Sequence, residues 1–316
     1  MEVLLQIALL VVGFVMLIKG ADWFVEGASK IADRLGIPQL VIGLTIVAMG
    51  TSAPETAVSI SAALKGSADI AVGNVVGSNI LNILIILGIT SVIIPLSVQK
   101  STIKYEIPFM IIISVVFAVL GLSDNVISLL DGLILLALFI VYLAYLLRMA
   151  KKGQATVEEV EEDGKQDSVI KMVALIVIGG VLIVIGSNVS VDAATALATI
   201  FGMDEKLIGL TIVALGTSLP ELVTSVTAGI KGKADIAIGN IVGSCIYNIL
   251  FVIGVSSLIT PVIYQASFLV DSIVCVATAV VLLLFVLNKE NKLKRWGGIT
   301  MLVGYAVYLG YMIVNM

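Results

Sequence analysis

Histidine is absent from all 316 residues, so any proton relay would have to run on carboxylates. Cysteine occurs only at Cys245 and Cys275, both in apolar segments, and neither position suggests a disulfide or a metal site. Charge is scarce: Asp, Glu, Lys and Arg make up 13% of the chain, where a soluble domain carries about 25%. The alternation of polar and apolar residues that marks a transmembrane β-barrel is also missing. The net charge of −4 comes largely from one stretch, "KKGQATVEEVEEDGKQD". It therefore says little about partners, and nothing calls for nucleic acid, a protein partner or a cofactor.

What remains is apolar. Hydrophobic residues make up 59% of the chain, and the mean hydropathy is +1.17. Nearly charge-free segments recur at 3–18, 35–64, 70–99, 107–123, 132–147, 172–191, 207–230, 236–270, 272–288 and 296–316. A spanning helix needs roughly 17–25 apolar residues, so the pattern predicts an all-α integral membrane protein with ten transmembrane helices. The first segment lacks a basic flank and a convincing cleavage site, and reads as the first of these helices rather than a signal peptide.

One unit is written twice. Residues 42–96 align with 208–262 at a constant offset of 166, without gaps, and 33 of the 55 positions are identical. "IGLTIVAMGTSAPE" returns as "IGLTIVALGTSLPE", and "GNVVGSNILN" as "GNIVGSCIYN". The predicted organisation is a first five-helix repeat over 1–148, an acidic linker over 149–168 and a second five-helix repeat over 169–316. Five is odd, so the second copy should be inverted in the bilayer. Counting Lys and Arg in alternate loops gives fifteen against two, with Lys19 inside the first helix. By the positive-inside rule this puts both termini outside and the linker in the cytoplasm. The linker itself lacks the spacing of a calcium loop and reads as a solvated hinge.

The chemistry lies where the apolar pattern breaks. Gly50 and Pro54 split the second helix around Thr51 and Ser52, because proline lacks an N–H donor and suits the start of a helix. Carbonyls such as those of Val47, Ala48 and Thr51 then lose helical donors, which in hydrocarbon is tolerated only against protein, water or a ligand. Glu55 follows the break directly, and Glu221 follows its copy. A carboxylate at mid-membrane costs about 2.5–3.5 kcal/mol on insertion scales. A hard cation offsets both problems, since calcium takes six to eight oxygens from carboxylates, carbonyls and hydroxyls and sodium can use the same set. Ser78 and Asn82 are four apart and share a helix face, as do Ser244 and Asn248. Gly73/Gly77 and Gly239/Gly243 are small pairs suited to close helix packing. Asp69, Asp124, Asp131, Asp235 and Asp271 fall near segment ends, while Asp22, Glu26 and Asp192 lie on the first helix of each half, structural or lining an access path.

The paired "GTSAPE…GNVVGSNILN" and "GTSLPE…GNIVGSCIYN" resemble the two α-repeats of the cation/calcium exchanger superfamily, most closely its prokaryotic sodium/calcium exchanger-like members. The resemblance spans nearly the whole chain. It implies two inverted halves, four cation sites in a central diamond, alternating access, and first and sixth helices sliding over an eight-helix core. Carried over by position, it implies that Glu55 and Glu221 ligate calcium and share in sodium sites. Thr51 and Thr217 would add backbone and hydroxyl oxygens, Ala48 and Ala214 carbonyls, and Ser52, Ser78, Ser218 and Ser244 the flanking sodium ligands. Asn82 and Asn248 would fill the remaining central site. Several relatives carry Asp where this chain has Asn248, which argues, by resemblance, against potassium cotransport.

The sequence therefore predicts sodium/calcium antiport, with calcium and sodium ions and the lipid bilayer as partners. Calcium/proton antiport on the same carboxylates is the alternative. A cation channel fits less well, because paired central carboxylates in an inverted repeat favour occlusion over a continuous path. An intramembrane hydrolase has nothing but the Glu pair in its support, so an enzyme is not expected.

Overall fold

The computed structural model describes residues 2–67, 69–154, 168–203, 214–265 and 268–314. Most of the acidic linker, at 155–167, and the approach to the second break, at 204–213, lie outside these described residues. The described residues are mainly helical. In order come α1 Glu2–Leu35, α2 Gln39–Thr51, α3 Ala53–Leu64, α4 Ile70–Ile93, α5 Thr102–Asp124 and α6 Leu129–Gly153. The second half holds α7 Val169–Ile200, α8 Ala214–Thr217, α9 Leu219–Ile230, α10 Ala234–Ile259, α11 Phe268–Val286 and α12 Arg295–Val314. Among the described residues, eight helices are long and apolar enough to cross a membrane, or nine if α2 and α3 form one bent span.

α4 and α10 sit at the centre. Along their apolar windows 72% and 89% of residues are buried, whereas α1 and α12 each bury 17%. Outer helices therefore turn side chains such as Val12, Val15, Val303 and Val307 outward, as expected where lipid tails replace water.

α2 and α3 meet at 50°. Ser52 is the joint, with φ −81° and ψ 12°, and Pro54 lies in the first turn of α3. Its missing N–H costs nothing there, because the first N–H groups of a helix have no intrahelical acceptor. Pro220 occupies the same position in α9, after Ser218 with φ −90° and ψ 2°.

The offset of 166 recurs in the backbone. Left-handed residues come in pairs at that spacing: Gly36 and Gly202, Gly66 and Gly232, Asn125 and Asn291. Gly and Asn are the residues that adopt positive φ at least cost. Two short antiparallel pairings obey the same rule. β1 Leu96–Ser97 pairs with β4 Lys292–Leu293, and β2 Val126–Ile127 pairs with β3 Val262–Ile263. Adding 166 turns β1 into β3 and β2 into β4, so each pairing joins one half to the other.

α1 and α7 pack through glycine. A Cβ on Gly20 would stand 2.8 Å from the Gly179 carbonyl oxygen, and one on Gly186 would stand 2.8 Å from that of Gly13. Gly13, Gly20 and Gly27 recur every seven residues along one face. Of the small pairs read from the sequence, Gly239 and Gly243 do receive a close neighbour: Cβ atoms there would lie 3.0 Å from Gly43 Cα and 2.8 Å from Leu44 Cα. Gly73 meets Phe268 at ordinary distance, and Gly77 has no described atom within 4 Å. The repeat mates of Gly43 and Leu44, Gly209 and Leu210, fall outside the described residues.

Candidate cation-binding site

Ser52 and Ser218, at the joints before α3 and α9, each meet the other half's glutamate. Ser52 donates to Glu221 Oε1 at 2.8 Å, and Ser218 stands 3.5 Å from Glu55 Oε1. These contacts are repeat mates, since 52 and 221 become 218 and 55 under the offset. Glu55 is 1% exposed and Glu221 fully buried, and the two carboxyls lie within electrostatic reach of one another.

Of the other predicted residues, Ser244, Ala48 and Thr51 adjoin this pair. Ser52 Oγ also lies 2.9 Å from Ser244 Oγ, which is itself 3.4 Å from the Ala48 carbonyl oxygen. Thr51 Oγ1 lies 3.3 Å from the same carbonyl. Ala48 thus offers its oxygen to two hydroxyls rather than to a helical N–H alone. Asn248 donates to Asn79 Oδ1 at 3.2 Å. Ser78 and Asn82 are buried on α4. Thr217 is half-buried in α8, behind Gly216, whose carbonyl accepts from Ser187 at 2.8 Å. Ala214 opens α8 at the edge of the described residues.

Several buried oxygens of the predicted ligand residues have no hydrogen-bond partner among the described residues. They are Glu55 Oε2, Glu221 Oε2, Asn82 Oδ1 and Asn248 Oδ1. A buried polar atom without a partner costs about 1–3 kcal/mol, more when charged. Were these groups to converge, two carboxylates, two amide oxygens, several hydroxyls and the Ala48 carbonyl would make up a donor set dominated by oxygen. Such a set suits a hard cation better than a soft one.

Two residues that hold these glutamates are absent from the sequence reading. Asn74 donates to the Glu55 carbonyl at 3.1 Å and to Ser59 Oγ at 2.9 Å. Its repeat mate Asn240 donates to the Glu221 carbonyl at 3.4 Å and to Ser225 Oγ at 2.9 Å. The signal was available: each Asn is identical in both copies and sits four residues before Ser78 or Ser244, on the same face. Asn79 gave no such signal, because its mate is Cys245.

The acids near segment ends have local roles. Asp131 accepts from the Ser128 N–H and hydroxyl, Asp235 from Gln99, and Asp271 from Tyr308. Asp22 pairs with Lys231 and Glu26 with Lys30. None of the five enters the central cluster.

A family model described as sodium/calcium exchanger protein matches residues 5–148 and 171–314 of this chain. The chain belongs to that family. Members are transporters, and the two matched segments correspond to the two halves carrying Glu55 and Glu221. The chain is 41% identical over 305 residues to the putative antiporter CaxA of Alkalimonas amylolytica, covering 95% of each sequence. It is 33% identical to the sodium/calcium exchanger MaX1 of Methanosarcina acetivorans, covering 95% of this chain and 96% of the other. Among solved structures, the sodium-calcium exchanger NCX_Mj soaked with Na+ and Sr2+ superposes with a TM-score of 0.84 at 34% identity. That match covers 98% of this chain and 99% of the other.

Proposed function

We propose that this protein exchanges sodium for calcium across a membrane by alternating access, with Glu55 and Glu221 sharing the two ions. The observation that carries the reading is the crossed Ser–Glu pairing between halves. It converges two buried carboxylates that each keep one oxygen unpartnered. The pair carries −2, which one calcium neutralises, while three sodium ions would leave +1. An exchange that moves net charge would respond by about 2.3 kcal/mol per charge per 100 mV. Thr51, Thr217, Ser52, Ser218, Ser78, Ser244, Asn82, Asn248 and the Ala48 and Ala214 carbonyls are the remaining proposed ligands.

The architecture proposed with this function is ten spans in two inverted halves, 1–148 and 169–316, joined by a cytoplasmic linker at 149–168, with both termini outside. The 50° bend between α2 and α3 and its mate at Pro220 support discontinuous helices at the ion site. The paired left-handed residues support a repeated unit, and the odd helix number per unit supports inversion.

Isotopic calcium uptake into proteoliposomes, with sodium, potassium and proton gradients imposed separately, tests the function. Uptake driven by an outward sodium gradient is the expected result. Uptake driven by a proton gradient with no sodium present would replace sodium by protons on the same carboxylates. Ohmic single-channel currents in a planar bilayer would replace exchange by conduction.

A further inference from the structure

Asn240 does more than its repeat mate Asn74. Both amides donate to the backbone carbonyl of a glutamate and to a serine one turn later. Asn240 also reaches the other half: Thr51 Oγ1 lies 2.9 Å from its Oδ1. The corresponding partner of Asn74 would be Thr217, which is half-buried and stands outside the bonds that Asn74 makes, whereas Thr51 is 1% exposed.

The direction of the Thr51 bond follows from its neighbours. A carbonyl oxygen can only accept, so the Glu221 carbonyl requires the NH2 of Asn240 on its side. The amide oxygen then faces Thr51 and can only accept, so Thr51 donates. A threonine hydroxyl has one proton and two acceptor lone pairs. It has two alternative acceptors, the Ala48 carbonyl, farther away at 3.3 Å, and the Glu221 carboxylate, and the Asn240 oxygen at 2.9 Å is the nearest acceptor with a measured contact. With the proton held by Asn240, Thr51 turns lone pairs rather than a hydrogen toward the carboxylate cluster. A hydroxyl whose proton pointed the other way would repel a cation.

We propose that Asn240 is a positioning residue for the cation site, setting the proton of Thr51 and the backbone of Glu221 through a single amide. The two residues lie in different halves of the chain, so one side chain fixes ligands on both sides of the site at once. This rests on the exchange reading above, in which Thr51 and Glu221 ligate the ion.

The test is a double-mutant cycle on the full-length protein in detergent, reading calcium affinity by titration calorimetry in sodium-free buffer. Asn240→Ala is expected to weaken calcium binding about tenfold when Thr51 is present. In a Thr51→Val background the same change should cost only as much as Asn74→Ala does, since the hydroxyl it orients is gone and only the clamp on the glutamate backbone remains to be lost. Asn74→Ala, which removes the equivalent backbone clamp without a bond to threonine, should cost the same in either background. A purely structural role predicts that Asn240→Ala costs the same with Thr51 intact as in the Thr51→Val background, and that result overturns the proposal. Should Asn240→Ala fail to fold, Asn240→Ser replaces it in the same cycle with the same outcomes. If the unaltered protein does not bind calcium, the exchange reading falls and this inference falls with it. If it binds but the cycle shows no coupling, only the inference falls.

Discussion

Lys231 holds Asp22 at two points: its ammonium lies 2.6 Å from the carboxylate and 2.9 Å from the backbone carbonyl. The contact straps the loop after α9 to the middle of α1, and α1 packs along α9 above it. Under the offset the pair becomes Asn188 and Lys65, which cannot form an ion pair. Among the described residues α7 also has no comparable packing against α3. Among the described residues the strap therefore exists on one side only, and under the proposed alternating-access exchange it would favour one access state. The two side chains are 30% and 39% exposed, so the pair contributes only about 0.2–1 kcal/mol. Lys231→Met should shift the balance of access states by up to about fivefold and speed hydrogen exchange in residues 20–34 of α1. Asn188→Asp, which offers Lys65 a partner, should shift the balance the same way by favouring the other state. Unchanged exchange in both variants would remove the strap from the cycle.

Replacing either glutamate should separate function from stability. Glu55→Gln or Glu221→Gln is expected to reduce calcium uptake at least a hundredfold, to the background of empty vesicles. In calcium-free and sodium-free buffer the same variants should melt a few degrees higher, because each removes one of two buried like charges. Uptake at the original rate in both variants would refute the shared-carboxylate reading.

Asn248→Asp should create a pH dependence. The present Asn248 spends its NH2 on Asn79 Oδ1, and a carboxylate there would set two acceptors against each other. The variant must take up a proton or an additional cation at that point. Calcium flux measured against pH should therefore acquire one acid-side transition more than the unaltered protein shows. Superimposable profiles would show that the Asn79 contact carries no weight.

Gly20→Ala tests the packing of α1 on α7. The added Cβ would meet the Gly179 carbonyl oxygen at 2.8 Å and Ile183 N at 2.9 Å. Backbone must move to admit it, at a cost of about 1–3 kcal/mol. Gly304→Ala is the control, since nothing lies within 4 Å of its Cβ position. It should be neutral or slightly stabilising, by the ordinary preference of a helix for alanine. Thermal unfolding of both variants checks the difference.

Residues repeated at a constant spacing were legible from sequence. Glu55, Glu221, Ser52 and Ser218 could be placed together because "GTSAPE" and "GTSLPE" force the same break twice, and a break in hydrocarbon needs a polar partner. Contacts between unlike residues far apart in the chain were not legible. Lys231 and Asp22 are 209 positions apart, and Thr51 and Asn240 are 189. No local periodicity links such residues. The glycine stripe of α1 fell between these cases. Gly13 and Gly20 do match Gly179 and Gly186 at the offset, but glycines in an apolar helix carry no chemistry that sets them apart from ordinary spacing.

The strand pairs Leu96–Ser97 with Lys292–Leu293 and Val126–Ile127 with Val262–Ile263 bear on how the chain tolerates cutting. Each half lends a ribbon to its sibling and borrows one back. Severing the polypeptide within 155–167 leaves both loans intact, so co-expressed fragments should reassemble. Either fragment produced alone would carry two orphaned edges and nothing to cap them.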